Sequence, residues 1–221
     1  MTIHQKIDQG WDAAYLENPD AQLWNEEPMP IVADIVARGR DRGLRTCLDV
    51  GCGDGRNMLA LQHGGLDVSG LDISPTALGR ADRLLRDQGN PAVLLGGDIG
   101  ALPVAAGTLD MVTALDVAGQ VPDPTAMIAE AHRVLRPGGL LAVNLFSPQD
   151  GTYGEGEQIG RHVFVYKQTL FRFYEREDLD ELFAGAWDWE TEIVTWDDPP
   201  HGSFRPYEHT HVNHVVYATP A

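Results

Sequence analysis

The run Leu48-Asp49-Val50-Gly51-Cys52-Gly53-Asp54-Gly55-Arg56-Asn57 constrains this chain more than any other stretch. An apolar segment, three glycines at alternate positions and a return to helix-compatible residues predict a buried strand, a tight turn and a helix start. Glycine lets the backbone take left-handed or crowded conformations and leaves room for a ligand to lie on it. The charge on the turn narrows which ligand. A dinucleotide loop of G-x-G-x-x-G spacing holds a pyrophosphate at a helix N-terminus, where added carboxylates would repel it. Here the spacing is G-x-G-x-G with Asp49 and Asp54 beside it, which suits a ligand with a positive end.

Two further acids fit the same pattern. Asp72 ends the run from Asp67, 23 positions after Asp49. An α/β nucleotide fold places there the carboxylate that takes both ribose hydroxyls. Asp98 ends the run from Val93. Acids at the tips of three successive strands are more specific than a glycine turn alone. Around them, strands and helices alternate. Strands are expected at Thr46 to Val50, Leu109 to Val117 and Leu140 to Phe146. Helices are expected through Met58 to Leu61, from Pro75 to Gln88, and from Asp123-Pro124, with Asp123 as N-cap, to Gly138-Gly139. That alternation predicts a parallel, doubly wound sheet.

After Ser147 the pattern changes. Asp150 to Glu157 reads as a flexible acidic loop, and Val163 to Tyr166 with Leu170 to Tyr174 as short strands or a hairpin. Glu177 to Phe183 reads as a helix, and Thr191 to Trp196 and His214 to Ala218 as the last strands.

These motifs resemble the class I S-adenosylmethionine-dependent methyltransferases of small-molecule type, strongly from Leu44 to Phe146 and more weakly to the C-terminus. The segment Ala129 to Leu141, with its Arg136-Pro137-Gly138-Gly139 turn, strengthens the likeness. The resemblance implies an α/β, Rossmann-like sheet of seven strands, mostly parallel, with strand seven antiparallel beside strand five. It implies S-adenosyl-L-methionine as cofactor and methyl transfer to oxygen or nitrogen of a small molecule. In such a site Gly51, Cys52, Gly53 and Gly55 lie along the methionine part, with Asp49 and Asn57 in the same set. Asp72, followed by Ile73, holds the ribose. Asp98 meets the adenine amino group, and Ile99 lies beside the ring. Asp116, at the tip of strand four, borders the transferred methyl. The chain departs from amine methyltransferases that carry Asn-Pro-Pro-Tyr or Asp-Pro-Pro-Tyr there, having Asp116-Val117-Ala118-Gly119 instead. Related small-molecule sequences often carry a His just after strand four, where Gln120 stands here.

If strand six is parallel and strand seven antiparallel, the loop from Asp197 to His211 lies over the pocket mouth. His209 and His211 are two apart and face the same way on an extended segment. A histidine titrates near neutrality and suits a general base, so His209, His211 and Asp116 are the catalytic candidates. The competing reading has the two histidines capping the strand. A metal held by them with His214 or Glu208 lacks support, because His214 would point the other way, and no metal is expected. Trp11, Tyr15 and Trp24 either pack the N-terminal segment or cover the pocket, where a sulfonium is attracted to an aromatic face. Lys167 and Arg172 decorate a solvated hairpin or hold an anionic acceptor. His4, His63, His132 and His162 read as surface or structural residues.

Sixteen Lys and Arg against 33 Asp and Glu give a net charge of −17. Such a surface repels phosphate backbones, so a small-molecule acceptor is expected and nucleic acid is not. Arg38, Arg40, Arg42 and Arg45 read as decoration of a helix end. With 221 residues, 43% of them hydrophobic, a single domain is expected, with 1–30 as a lid segment and about 147–185 as a substrate-side insertion. Cys47 and Cys52 are too close to staple anything useful, which fits a reduced compartment. No apolar stretch suits export or a membrane, so a cytoplasmic protein is expected. The rival readings are a nicotinamide-dependent reductase, for which no Tyr-x-x-x-Lys pair is evident, and a methyltransferase-fold protein that binds the cofactor without transferring methyl. A protein or RNA methyltransferase is a third, held down by the charge.

Overall fold

The computed structural model describes residues 11–17, 27–200 and 204–221. Trp24, His4 and His201 lie outside the described residues. After a short helix α1 at 11–17, the elements are α2 (Val32–Asp41), β1 (Thr46–Val50), α3 (Arg56–His63), β2 (Asp67–Asp72), α4 (Pro75–Asp87), β3 (Leu94–Gly96) and β4 (Leu109–Ala114). They continue with a 3-10 turn (Ala118–Gln120), α5 (Thr125–Val134), β5 (Leu135–Phe146), β6 (Glu157–Gly160), β7 (Val163–Tyr166), β8 (Thr169–Arg172), α6 (Arg176–Leu182), β9 (Trp187–Asp198) and β10 (His209–Pro220).

Seven strands form one sheet in the order β3-β2-β1-β4-β5-β10-β9. β1 to β5 pair in parallel, and β10 lies antiparallel between β5 and β9. The expected doubly wound sheet is therefore present, with β9 and β10 as strands six and seven. Strand periodicity divides its core into two layers. Leu48, Val50, Val112, Ala114, Leu141 and Val143 face α5 and α6. Cys47, Met111, Leu140, Ala142, Val215 and Tyr217 face α2 and α3. Leu141, Val143 and Leu145 are fully buried; burial of each such side chain contributes about 1.5–3 kcal/mol.

Local signals account for several boundaries. Ser74 caps α4, its hydroxyl accepting from the Ala77 amide at 3.0 Å, with Pro75 at the first helical position. Gly89 follows the helix with φ +72°, a left-handed stop. Other boundaries move. β4 stops at Ala114, short of the expected Val117, because the chain turns at Asp116 with φ +58°. α5 ends at Val134, and Arg136 to Gly139 belong to β5 rather than closing the helix. There the amides of Gly107 and Thr108 bond the Arg133 and Val134 carbonyls. Pro124, not Asp123, stands at the start of α5, although Asp123 accepts from the Thr125 amide at 2.9 Å.

Beyond β5, Val163 and Thr169 belong to an antiparallel β6-β7-β8 sheet, so the expected hairpin gains a third strand, β6, which begins at the last residue of the stretch read as a loop. Arg172 donates to the Pro122 carbonyl at 2.6 Å and Lys167 to the Phe204 carbonyl at 2.8 Å, which ties both to the fold. His162 has partners too, Tyr153 at 2.8 Å and Glu175 at 3.2 Å. Among the described residues, no helix is long and apolar enough to cross a membrane.

Candidate active site

A cleft opens beyond the carboxyl ends of β1, β2, β3 and β4. It is lined by the glycine turn (Gly51, Cys52, Gly53), by Asp72 and Ile73, by Asp98 and Ile99, and by Leu115 to Val117. Trp11 and Tyr15 of α1 line it as well, so of the two readings of these aromatics the structure brings out the one that places them over the pocket. Asp12 fixes α1 there by accepting from the Ser74 hydroxyl at 2.6 Å and the Thr76 amide at 3.2 Å.

The backbone of the turn explains its glycines. Gly51 sits at φ +70°, and a Cβ there would meet Val117 Cγ2 at 2.3 Å. Gly53 sits at φ +54°, where a Cβ would come within 2.8 Å of the Tyr15 hydroxyl. Gly55 does not line the cleft. It bends the chain into α3 as a left-handed N-cap at φ +90°.

The acids divide into two roles. Asp72 lines the cleft and accepts from the Gly53 amide at 2.9 Å and the Ser74 amide at 2.8 Å. These bonds orient both carboxylate oxygens at the end of β2 and leave lone pairs for a diol. Asp98 holds the Gly100 amide at 2.7 Å. Asp49 is a correction to the expected set of cofactor contacts. It is buried beneath the turn, outside the cleft lining, and accepts from the Thr113 hydroxyl at 2.7 Å. Burial, with the charge of Asp72 nearby, pushes its pKa up to about 7 against the Thr113 hydrogen bond. Burial likewise raises Asp54 and Asp72. Carboxylates gathered in a dry crevice make a site that favours a cation. Cys52 is buried, and its thiol is raised well above the usual range, so it stays neutral.

Asp116 lines the cleft at its left-handed position. Its amide donates to Asn144 Oδ1 at 2.7 Å, and its Oδ1 accepts from Asn144 Nδ2 at 2.8 Å. A non-glycine residue held at positive φ by such a clamp is typical of functional positions. Arg56 Nη2 lies 3.4 Å from Asp116 Oδ2 and lines the same cleft. Asn57 lines it too, while its Oδ1 holds the Met29 amide at 3.0 Å.

His209 and His211 lie on β10 itself, not in the preceding loop. Their shared facing is as expected, with Nε2 to Nε2 at 3.1 Å. His214 pairs with Leu145 and lies three positions on, on the opposite face. Neither His209 nor His211 lines the cleft. The link of His211 to it is electrostatic, through Asp116. Asp150 is the residue the sequence reading missed. It lies in the expected loop but is buried, accepting from His211 Nδ1 at 3.0 Å, the Val212 amide at 2.8 Å and the Thr152 hydroxyl at 2.6 Å. Burial alone would lower His211, but the Asp150 bond and the charges of Asp116 and Asp198 raise it. Burial and the neighbouring His211 lower His209. The Asp-x-Thr spacing of an Asx turn was the one local signal for Asp150.

A sequence model described as "Methyltransferase domain" matches residues 48–143, the stretch that builds the cleft. The chain is 35% identical over 124 residues to a "Ubiquinone biosynthesis O-methyltransferase" of Methylococcus capsulatus, covering 55% of this chain and 52% of that one. It thus spans about half the length of that curated relative. Among solved structures, a SAM-dependent methyltransferase of Methanosarcina mazei superposes with TM-score 0.71 at 19% identity, over 88% of this chain and 98% of that one. The magnesium protoporphyrin IX methyltransferase of Synechocystis, with bound SAM, gives TM-score 0.67 at 17% identity, over 100% and 98%. Residues 48–143 therefore match a methyltransferase domain, and the strand order and acid-tipped cleft around them have the fold of the class I S-adenosylmethionine-dependent methyltransferases.

Proposed function

We propose that this chain transfers the methyl group of S-adenosylmethionine to an oxygen or nitrogen of a small molecule. The observation that carries the reading is the cleft whose strand tips present Asp72 and Asp98, with Asp49 buried behind. Asp72 takes the ribose hydroxyls, Asp98 the adenine amino group with Ile99 against the ring, and the turn Gly51 to Gly53 the methionine part. Arg56, which lines the cleft, pairs with the cofactor's carboxylate. When bound, the cofactor would supply an electrophilic methyl group and leave as the neutral thioether. Asp116, which lines the cleft, would take the proton that the acceptor loses, with His211 electrostatically linked behind it. Because the cofactor brings its own electrophile, the protein's task is alignment and exclusion of water. The described helix 11–17 covers the pocket through Trp11 and Tyr15, and about 147–185 supplies its acceptor side. The relative named for ubiquinone biosynthesis and the charge of −17 both favour a small acceptor.

The test is calorimetry with S-adenosylmethionine, followed by S-adenosylhomocysteine release with a panel of phenols, hydroxy acids and amines. Cofactor binding without release for any acceptor would favour a cofactor-binding role instead. Replacing both His209 and His211 is expected to depress turnover at least tenfold while cofactor affinity holds; full activity removes them from the reaction.

A further inference from the structure

The histidine edge carries a geometry that methyl transfer alone leaves unexplained. The two rings stand nearly perpendicular, 80° apart, with centroids 4.7 Å from one another. The far nitrogen of each is already committed. His209 Nδ1 lies 3.2 Å from the Tyr207 carbonyl oxygen, which only accepts, so Nδ1 holds the hydrogen. His211 Nδ1 lies 3.0 Å from Asp150 Oδ2, which also takes the Val212 amide. Its other oxygen takes the Thr152 amide at 2.9 Å and the Thr152 hydroxyl at 2.6 Å, so Asp150 is surrounded by donors and it too accepts. When both rings are neutral, these tautomers turn two lone pairs into the same 3.1 Å gap. Lone pairs at that distance repel unless something positive lies between them.

Asp198 closes the third side. It is the register partner of His209 on β9, and its Oδ2 lies 3.7 Å from His211 Nε2. One ligand atom from each of Asp198, His209 and His211 lies within 4.8 Å of the others. Two nitrogens bound at ~2.1 Å to one tetrahedral or octahedral ion stand about 3.0–3.4 Å apart, so the gap needs almost no adjustment. The outer partners match as well. Ligating imidazoles ordinarily donate their other N–H to a carboxylate or a backbone carbonyl, here Asp150 and Tyr207.

We propose that Asp198, His209 and His211 bind a divalent transition-metal ion. Two imidazoles and a carboxylate suit zinc, cobalt, nickel or ferrous iron and leave coordination positions open. Asp198 lines a hollow together with Arg56 and Asp116, and both of those also line the cofactor cleft. An acceptor presenting two adjacent oxygens would chelate the ion, and its hydroxyl proton would pass to Asp116, because both ring nitrogens facing the gap are then held by the ion. This last step rests on the methyl-transfer reading; the ion site does not.

The test uses the full chain stripped with a chelator. Cobalt(II) is titrated while the visible d–d absorption is followed, and zinc is titrated by calorimetry. One ion per chain is expected. His211→Ala and Asp198→Asn should each weaken it at least tenfold, and His63→Ala, at an exposed position on α3, should leave it unchanged. Circular dichroism verifies folding; Asp198→Asn, conservative and at a strand end, serves if His211→Ala fails to fold. Absence of the absorption band, or a band indifferent to both substitutions, overturns the site and leaves a shared proton in the gap. S-adenosylmethionine is titrated into the same samples. Cofactor binding without cobalt binding sinks the metal alone, and cobalt binding without cofactor binding sinks the methyl-transfer reading alone.

Discussion

Asp49 offers the sharpest test of the electrostatic argument, through Asp49→Asn in the cofactor-free protein. The folded carboxyl titrates near about 7 against an ordinary value of 3.8. Between those values the folded state holds a proton that the unfolded state has lost. Wild-type stability therefore falls as pH rises from about 4 to about 7, by at most ~4 kcal/mol at about 1.4 kcal/mol per unit. Asparagine abolishes this loss and keeps an oxygen for the Thr113 hydroxyl, which bonds Asp49 at 2.7 Å. Its new amide, without a matched acceptor, costs about 1–3 kcal/mol. At pH 8 the charge effect wins, and the variant should be more stable by about 2 kcal/mol. At pH 5 the wild-type penalty shrinks to about 1.5 kcal/mol, and the two proteins should be nearly equal. Urea unfolding at pH 5, 6.5 and 8 measures this difference. Cofactor affinity at pH 8 should move the opposite way, down about tenfold, as a negative charge behind the sulfonium is removed. A stability difference that stays constant across pH would refute the reasoning, because it would mean that the carboxylate ionises without penalty.

Asp72→Asn should weaken S-adenosylmethionine 10- to 100-fold by calorimetry, since one carboxylate oxygen becomes a donor facing the Gly53 or Ser74 amide; unchanged affinity ends the ribose assignment. Gly51→Ala forces a methyl group to within 2.3 Å of Val117 at φ +70°, and a thermal melt should show about 1–3 kcal/mol of destabilisation. A melt like wild type would mean that the turn relaxes freely. Tyr15→Ala opens the cleft beside Gly53 and should speed cofactor release several-fold in stopped flow with fold stability largely kept, whereas an unchanged release rate would leave Tyr15 as packing only.

The sequence carried the half of this protein whose order is local. Alternating strands and helices, glycines where the backbone turns left-handed, and acids at Asp72 and Asp98 are each specified within a dozen residues, and each appears where expected. Local pattern misplaced Asp49 because a strand's last acid looks the same whether it points into a cleft or under a turn; Thr113, 64 residues away, decides which. It placed Asp150 in a loop, where it lies, but could not show that His211 and Val212 on β10 hold its side chain there, buried.

The sequence by itself determined the sheet, the turn and the charge of the cofactor cleft, because period, glycine conformation and acid spacing are properties of contiguous chain. The tertiary structure decided the rest. Asp150, Asp198, His209 and His211 meet only because β10 inserts antiparallel between β5 and β9. No short-range rule encodes which distant side chains a strand insertion brings within hydrogen-bonding reach.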